Sequence, residues 1–200
     1  MSSSPILLLP GWQNSGPGHW QSLWEQRHGY RRVEQHDWMR PLRGDWVARL
    51  QDVVLDIEQG RAPRAPARIV LVAHSLGCHL VAAWVAASGL GHRIQAAFLV
   101  APGDPQVEAI AATLASWSPV VSQALPFPSV LLASRDDPYC SFSRSRQFAA
   151  GWGSEFVDCG PAGHINTDSG LGDWPDGHTR LLDLCRSSSG APAPVRRRPQ

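Results

Sequence analysis

Ser75 stands in Ala73-His74-Ser75-Leu76-Gly77, directly behind the apolar run Val70-Leu71-Val72. This is an A-x-S-x-G form of the G-x-S-x-G elbow, where a strand turns sharply into a helix and leaves a serine hydroxyl exposed. The residues two before and two after must be small, because strand and helix backbones nearly touch there. Ala73 and Gly77 meet that condition, Ala73 as a mild departure from glycine. The helix N-terminus beneath Ser75 adds positive potential for a developing oxyanion. Serine is also a common helix N-cap, but the buried strand ahead of it and His74 at the x position favour a nucleophile.

A serine hydroxyl attacks a carbonyl only once a base removes its proton. In this strand–turn–helix setting the nucleophile is followed in the chain by an acid and then a histidine. Of the eight histidines, His74 and His79 belong to the elbow and cannot turn back onto Ser75. His28, His36 and His92 suit solvated positions, and His178 falls inside the terminal helix. His164, in Gly160-Pro161-Ala162-Gly163-His164-Ile165-Asn166 after the last strand, is the candidate base. Asp136 and Asp137 both follow the run Val130 to Ala133. Asp137 precedes Pro138, which biases it towards extended backbone, so it is preferred as the acid that fixes the imidazole tautomer. Asp136 is left a turn-forming role.

Two backbone N–H groups must receive the oxyanion. One is that of Leu76, and the other is expected from Pro10-Gly11-Trp12 after the first strand, with Trp12 as donor. Gly11, His74, His19 and Trp20 are the candidates for substrate contact. Trp24 reads as packing beneath its helix.

These residues need a scaffold that gathers them. Strands are expected at Ile6 to Leu9, Arg32 to Gln35, Arg68 to Ala73, Ala96 to Val100, Val130 to Ala133 and Glu155 to Val157. Those at Ile6, Arg68, Ala96 and Val130 lack alternation, as strands buried on both faces do. Helices are expected over 19–27, 44–58, 76–87, 105–115, 144–150 and 177–186. In the second, Trp46, Leu50, Val53, Val54 and Ile57 recur at helical spacing. Alternating strand and helix predict an α/β fold, a mostly parallel sheet of about six strands with helices on both faces. Ligands then collect beyond the carboxyl ends of the strands, where Gly11 to Gly16, His74 to Gly77, Pro102 to Asp104, Arg135 to Pro138 and Gly160 to Asn166 all fall.

Composition narrows the partners. A chain of 200 residues with 43% hydrophobic and 18% charged residues suits one folded domain. A net charge of +1 gives no electrostatic footprint for nucleic acid. No apolar run approaches the ~20 residues of a membrane span, and Ile6 to Leu9 is too short for a signal segment. The four cysteines are far apart and read as reduced thiols of a cytoplasmic protein. Neither metal nor cofactor is expected. Residues 1–186 form the expected domain. Residues 187–200, with three serines, alternating Ala and Pro, and Arg196-Arg197-Arg198, are expected to be a disordered tail.

Pro10-Gly11-Trp12 with His19-Trp20, the elbow, Ser134-Arg135-Asp136-Asp137-Pro138-Tyr139, and Gly163-His164-Ile165-Asn166 with Gly170, Gly172, Trp174, Pro175 and Gly177 together resemble one family. It is the small α/β-hydrolase family that contains YdeN and retinoblastoma-binding protein nine, and the resemblance runs from about residue 5 to 186. It implies a compact α/β-hydrolase fold without a large cap domain. It also implies a Ser-Asp-His triad at Ser75, Asp137 and His164, and serine hydrolase activity on a poorly defined substrate.

The leading reading is a serine hydrolase that cleaves small acyl esters through an acyl-enzyme. Amidase or peptidase, thioesterase and acyltransferase chemistry would use the same parts. The alternative is an interaction protein that keeps the fold as a scaffold. The chain lacks an L-x-C-x-E docking motif, and a pure scaffold has no reason to retain nucleophile, acid and base.

Overall fold

The apolar runs of the chain are stacked side by side and covered from both faces. In the computed structural model, which describes residues 4–59 and 68–189, six strands form one sheet. They are β1 (Ile6–Leu9), β2 (Arg31–Arg32), β3 (Ile69–His74), β4 (Ile94–Val100), β5 (Ser129–Ala133) and β6 (Glu155–Asp158). All neighbours pair in parallel, in the order β2-β1-β3-β4-β5-β6. The helices are α1 (Trp20–His28), α2 (Arg43–Gln59), α3 (Leu76–Ser88), α4 (Glu108–Ala111), α5 (Phe142–Trp152) and α6 (Pro175–Ser188).

Successive strand side chains point to opposite faces, and each face has its own core. Leu7, Leu71, Leu99 and Leu131 pack with Trp46 and Leu50 of α2, Trp84 of α3 and Trp152 of α5. Leu8, Val72, Phe98 and Leu132 pack with Trp20 and Trp24 of α1 and Leu181 of α6. Both faces are apolar, which is why these strands show no alternation. The expected α2 stripe is buried at Trp46, Leu50, Val53 and Val54, with Ile57 packed at its margin. This is the compact α/β-hydrolase architecture.

The strand order places the site. The chain steps from β1 outward to β2 and returns to β3 on the other side of β1. Loops leaving β1 and β3 therefore diverge, and a crevice opens at their carboxyl ends. Gly11-Trp12 follow β1, and Ser75 follows β3.

Three expectations need correction. The second strand lies at Arg31–Arg32, not Arg32 to Gln35. It is anchored at the sheet edge by the Arg32 guanidinium, which donates to Asn14 Oδ1 at 2.6 Å, Glu25 Oε2 at 2.9 Å and Ser22 Oγ at 2.6 Å. The helix expected over 105–115 is reduced to α4 and a single turn at Ala115–Trp117. Asp104 causes this, because its carboxylate accepts the Gln106 N–H at 3.1 Å and its carbonyl the Val107 N–H at 3.1 Å, holding a turn where the helix would begin. Finally, α6 runs past residue 186 to Ser188, which is buried and bonded to Gln95 Nε2 at 3.0 Å. The expected tail therefore does not start at 187, and its remainder, residues 190–200, lies outside the described residues. No helix among the described residues is long and apolar enough to cross a membrane.

Candidate active site

Ser75 adopts φ 53° and ψ −122°, a conformation costing a non-glycine residue about 1–3 kcal/mol. Its surroundings hold it there. The Ser75 N–H donates to the Val100 carbonyl of β4 at 3.0 Å, and α3 begins at the next residue. Gly77 explains the tight turn. A Cβ on it would collide with the Leu9 carbonyl oxygen and lie 2.9 Å from that of Pro10. The close approach is thus to the end of β1, not to β3 as the elbow motif alone suggests. The Ser75 side chain does not cap α3. Its Oγ lies 2.9 Å from His164 Nε2 instead.

His164 Nδ1 faces both carboxylate oxygens of Asp137, at 2.8 and 2.9 Å. Nδ1–H donating to the carboxylate leaves Nε2 as acceptor for the serine proton. The Asp137 side chain is only 2% exposed, and the Tyr139 N–H donates to its Oδ1 at 2.9 Å. Asp136 is exposed and does different work. It accepts the Ser134 hydroxyl at 2.6 Å and the Gly163 N–H at 2.9 Å, bonds that hold its carboxyl below the usual range.

The loop carrying His164 is pinned along its length. Ala162 N–H donates to Ser134 Oγ at 2.9 Å. The His164 carbonyl accepts His74 Nε2–H at 2.9 Å, and the Ile165 carbonyl accepts Trp20 Nε1–H at 2.8 Å. Downstream, the αL backbone at Trp174 turns its indole onto the first turn of α6, where any Cβ on Gly177 would strike the ring. That contact accounts for the Trp174-Pro175-x-Gly177 pattern.

Gly11 brings the β1 loop against the elbow. A Cβ there would lie 2.7 Å from Ser75 Cβ and 3.2 Å from Leu76 N. Neither the Trp12 nor the Leu76 N–H donates to a protein acceptor among the described residues. The Trp12 indole donates to the Met39 carbonyl at 3.2 Å and walls a cavity of about 290 Å³. Ser75, Leu76, His74, His19 and His164 also line that cavity, with Ile110 and Leu114 from the α4 segment and Tyr139.

Two of the expected substrate contacts are not there. Trp20 is 1% exposed and buried in the core with Trp24, Phe98 and Trp174, so its indole anchors the His164 loop rather than lining the cavity. Gly11 contributes backbone proximity to Ser75 rather than cavity wall. His74 and His19 do line the cavity, and each has a second duty. His19 Nδ1 accepts the Gln21 N–H at 3.1 Å as N-cap of α1. Its proton therefore sits on Nε2, which has no partner among the described residues. Burial, reinforced by the nearby His164 and Arg32 side chains, lowers His19 to about 3. Burial likewise holds His74 well below its usual value.

Some contributors escaped sequence reading. His79 Nε2–H donates to the Gly103 carbonyl at 2.5 Å, and its ring meets the stacked rings of Phe148 and Trp152 edge-on. This sets Gly103 against the nucleophile, so that a Cβ there would lie 3.2 Å from Ser75 Oγ. The Tyr139 ring meets His164 edge-on, with centroids 4.7 Å apart. Gly103 falls in a loop expected at the sheet edge and Tyr139 in the Asp136-Asp137-Pro138-Tyr139 motif, but nothing local in the sequence signals the contacts they make. No group of three His, Cys, Asp or Glu side chains among the described residues is placed to hold a metal ion.

A family model described as serine hydrolase matches residues 6–183. The chain belongs to this serine hydrolase family. Among solved structures, this serine hydrolase is similar to a YdeN-like hydrolase from Pectobacterium atrosepticum, at 29% identity and a TM-score of 0.77, covering 93% of this chain and 92% of the other. The ydeN gene product of Bacillus subtilis follows at 19% identity and a TM-score of 0.71, covering 91% and 98%. A thermophilic esterase from Thermogutta terrifontis shares the fold at 15% identity and a TM-score of 0.63, covering 94% and 91%. A search of curated proteins gave no match. The resemblance to the YdeN family drawn from the motifs agrees with these likenesses.

Proposed function

We propose that this serine hydrolase cleaves small acyl esters through an acyl-enzyme on Ser75. His164 Nε2 takes the serine proton as Oγ attacks the ester carbonyl. Asp137 holds the ring and stabilises the imidazolium that forms. The tetrahedral oxyanion is received by the Leu76 N–H at the start of α3 and the Trp12 N–H in the loop after β1. His164 then protonates the departing alkoxide, and water attacks the acyl-enzyme by the same route in reverse roles. The observation that carries this reading is the unbroken relay from Ser75 Oγ through His164, at 2.9 Å, to Asp137, at 2.8 Å. The cavity of about 290 Å³, roofed by Ile110 and Leu114, supports a small acyl group. Thioesters and amides would use the same groups, and an ester asks less of His164 as leaving-group acid than an amide does. The four free thiols suit a reducing compartment, and the cytoplasm is the location we propose.

The test is a series of p-nitrophenyl esters of increasing acyl length against wild type and Ser75→Ala. Turnover that peaks at short chains and disappears in the variant supports the reading. A preference for acyl chains longer than about eight carbons would contradict the small site, given a cavity near the low end of ligand pockets.

A further inference from the structure

The cavity beside Ser75 is lined by residues of mixed character. Trp12, Ile110 and Leu114 are apolar, and Asn14, Asn166 and Asp168 are polar. Asp168 is the sole carboxylate among the described lining residues, and no lysine or arginine joins it. His19 and His74 bring no countercharge. Burial lowers His19 to about 3 and holds His74 well below its usual value. Arg32, which reaches the cavity lining by donating to Asn14 Oδ1 at 2.6 Å, is paired with Glu25 at 2.8 Å. The Asp168 carboxylate has neither ion pair nor hydrogen bond among the described residues.

Its position is fixed relative to the reacting centre. Asp168 lies four residues beyond His164 in the same pinned loop. Its N–H donates to Asn166 Oδ1 at 3.0 Å, and Asn166 and Ser169 close a reciprocal cap around it. Ser169 Oγ donates to the Ala162 carbonyl at 2.7 Å, and the left-handed Gly170 ends the turn. An unpaired charge on a rigid turn at the rim of a cavity of about 290 Å³ favours a positively charged group of a bound molecule.

We propose that Asp168 is a specificity determinant, and that the preferred substrate is an ester with a primary or quaternary ammonium group near the scissile bond. The acyl part rests on Trp12, Ile110 and Leu114, and the cation on Asp168. This inference rests on the esterase reading above.

An isosteric pair of probes tests it: choline butyrate and 3,3-dimethylbutyl butyrate, which differ in replacing N⁺ by carbon. At low ionic strength the wild type is expected to favour the choline ester in kcat/KM by about two- to fivefold, the range for one exposed charge pair. The ratio should fall towards one in Asp168→Asn, invert in Asp168→Lys, return in Asp168→Glu, and shrink in about 1 M salt. A purely structural aspartate would not move this ratio. Equal turnover of the two esters by wild type, or a ratio that Asp168→Asn leaves in place, overturns this inference alone. Turnover of neither, with Ser75 unreactive to a fluorophosphonate, overturns the esterase reading and this inference with it.

Discussion

The Nε2–H of His74 donates to the carbonyl oxygen of His164 across 2.9 Å, joining residues 90 positions apart in the chain. The residue just before the nucleophile therefore grips the backbone of the candidate base. Both ring and carbonyl are buried, so the bond is shielded from competition by water.

Replacing His74 by Phe should leave the fold intact and let the His164 loop shift. The expected result is a fall in kcat of about five- to tenfold with little change in KM, equivalent to one lost buried hydrogen bond. His74→Gln, whose amide can still donate, should recover part of the loss. An unchanged kcat in His74→Phe would show that the bond does not position the base.

Gly77 and Gly103 should separate stability from activity. A Cβ at Gly77 meets the backbone carbonyls of Leu9 and Pro10, which cannot move aside without parting α3 from β1. Gly77→Ala should cost about 3 kcal/mol or more in urea denaturation, at or above the upper end for overpacking. A Cβ at Gly103 instead approaches Ser75 Oγ at 3.2 Å. Gly103→Ala should keep stability within about 1 kcal/mol and lower kcat about tenfold. Equal stability for the two variants would contradict the packing described.

Acid should destabilise the protein through its buried histidines. Burial lowers His79 to about 4 and His19 to about 3, against 6.5 for the free side chain, and holds His74 down as well. Between about pH 4 and 6.5 the unfolded chain binds protons at these sites and the folded chain does not. Stability is then full above pH 6.5 and is lost as pH falls, by up to about 1.4 kcal/mol per pH unit for each histidine. Urea midpoints at pH 7, 6 and 5 should fall steeply. In His79→Gln the slope should be shallower by one proton, and a slope unchanged from wild type would refute its burial in the neutral form.

Much of this was readable because it depends on local pattern. The uninterrupted apolar runs at β1, β3, β4 and β5 mark strands covered on both faces, and Ser75, Asp137 and His164 fall in loops at one sheet edge in the expected order. Pro138 pointed to the aspartate whose carboxylate faces His164 Nδ1, and Asp136 bonds the Ser134 hydroxyl and the Gly163 N–H instead. What could not be read depends on partners far along the chain. Trp20 looked like a cavity wall because it opens a helix near the site, yet its indole serves the Ile165 carbonyl 145 residues away. The 105–115 segment carries helix-forming residues, but the Asp104 turn delays the helix, and the short turns that follow bring Ile110 and Leu114 to the cavity lining. The bond from His79 to the Gly103 carbonyl gave no signal, because a single bond between loop and helix leaves no periodicity.

The most direct measurement is the rate and position of fluorophosphonate labelling, mapped by mass spectrometry, in wild type, His164→Ala, Asp137→Asn and Asp136→Asn. Wild type should carry one adduct, on Ser75. Labelling should slow by about 10³-fold or more in His164→Ala and by at least about 10²-fold in Asp137→Asn, as expected for members of a relay that acts as a unit. Asp136→Asn should stay within about threefold of wild type, since its carboxylate supports a turn and not the ring. Labelling of a different serine, or Ser75 labelling that survives His164→Ala at the wild-type rate, would contradict the account at its centre.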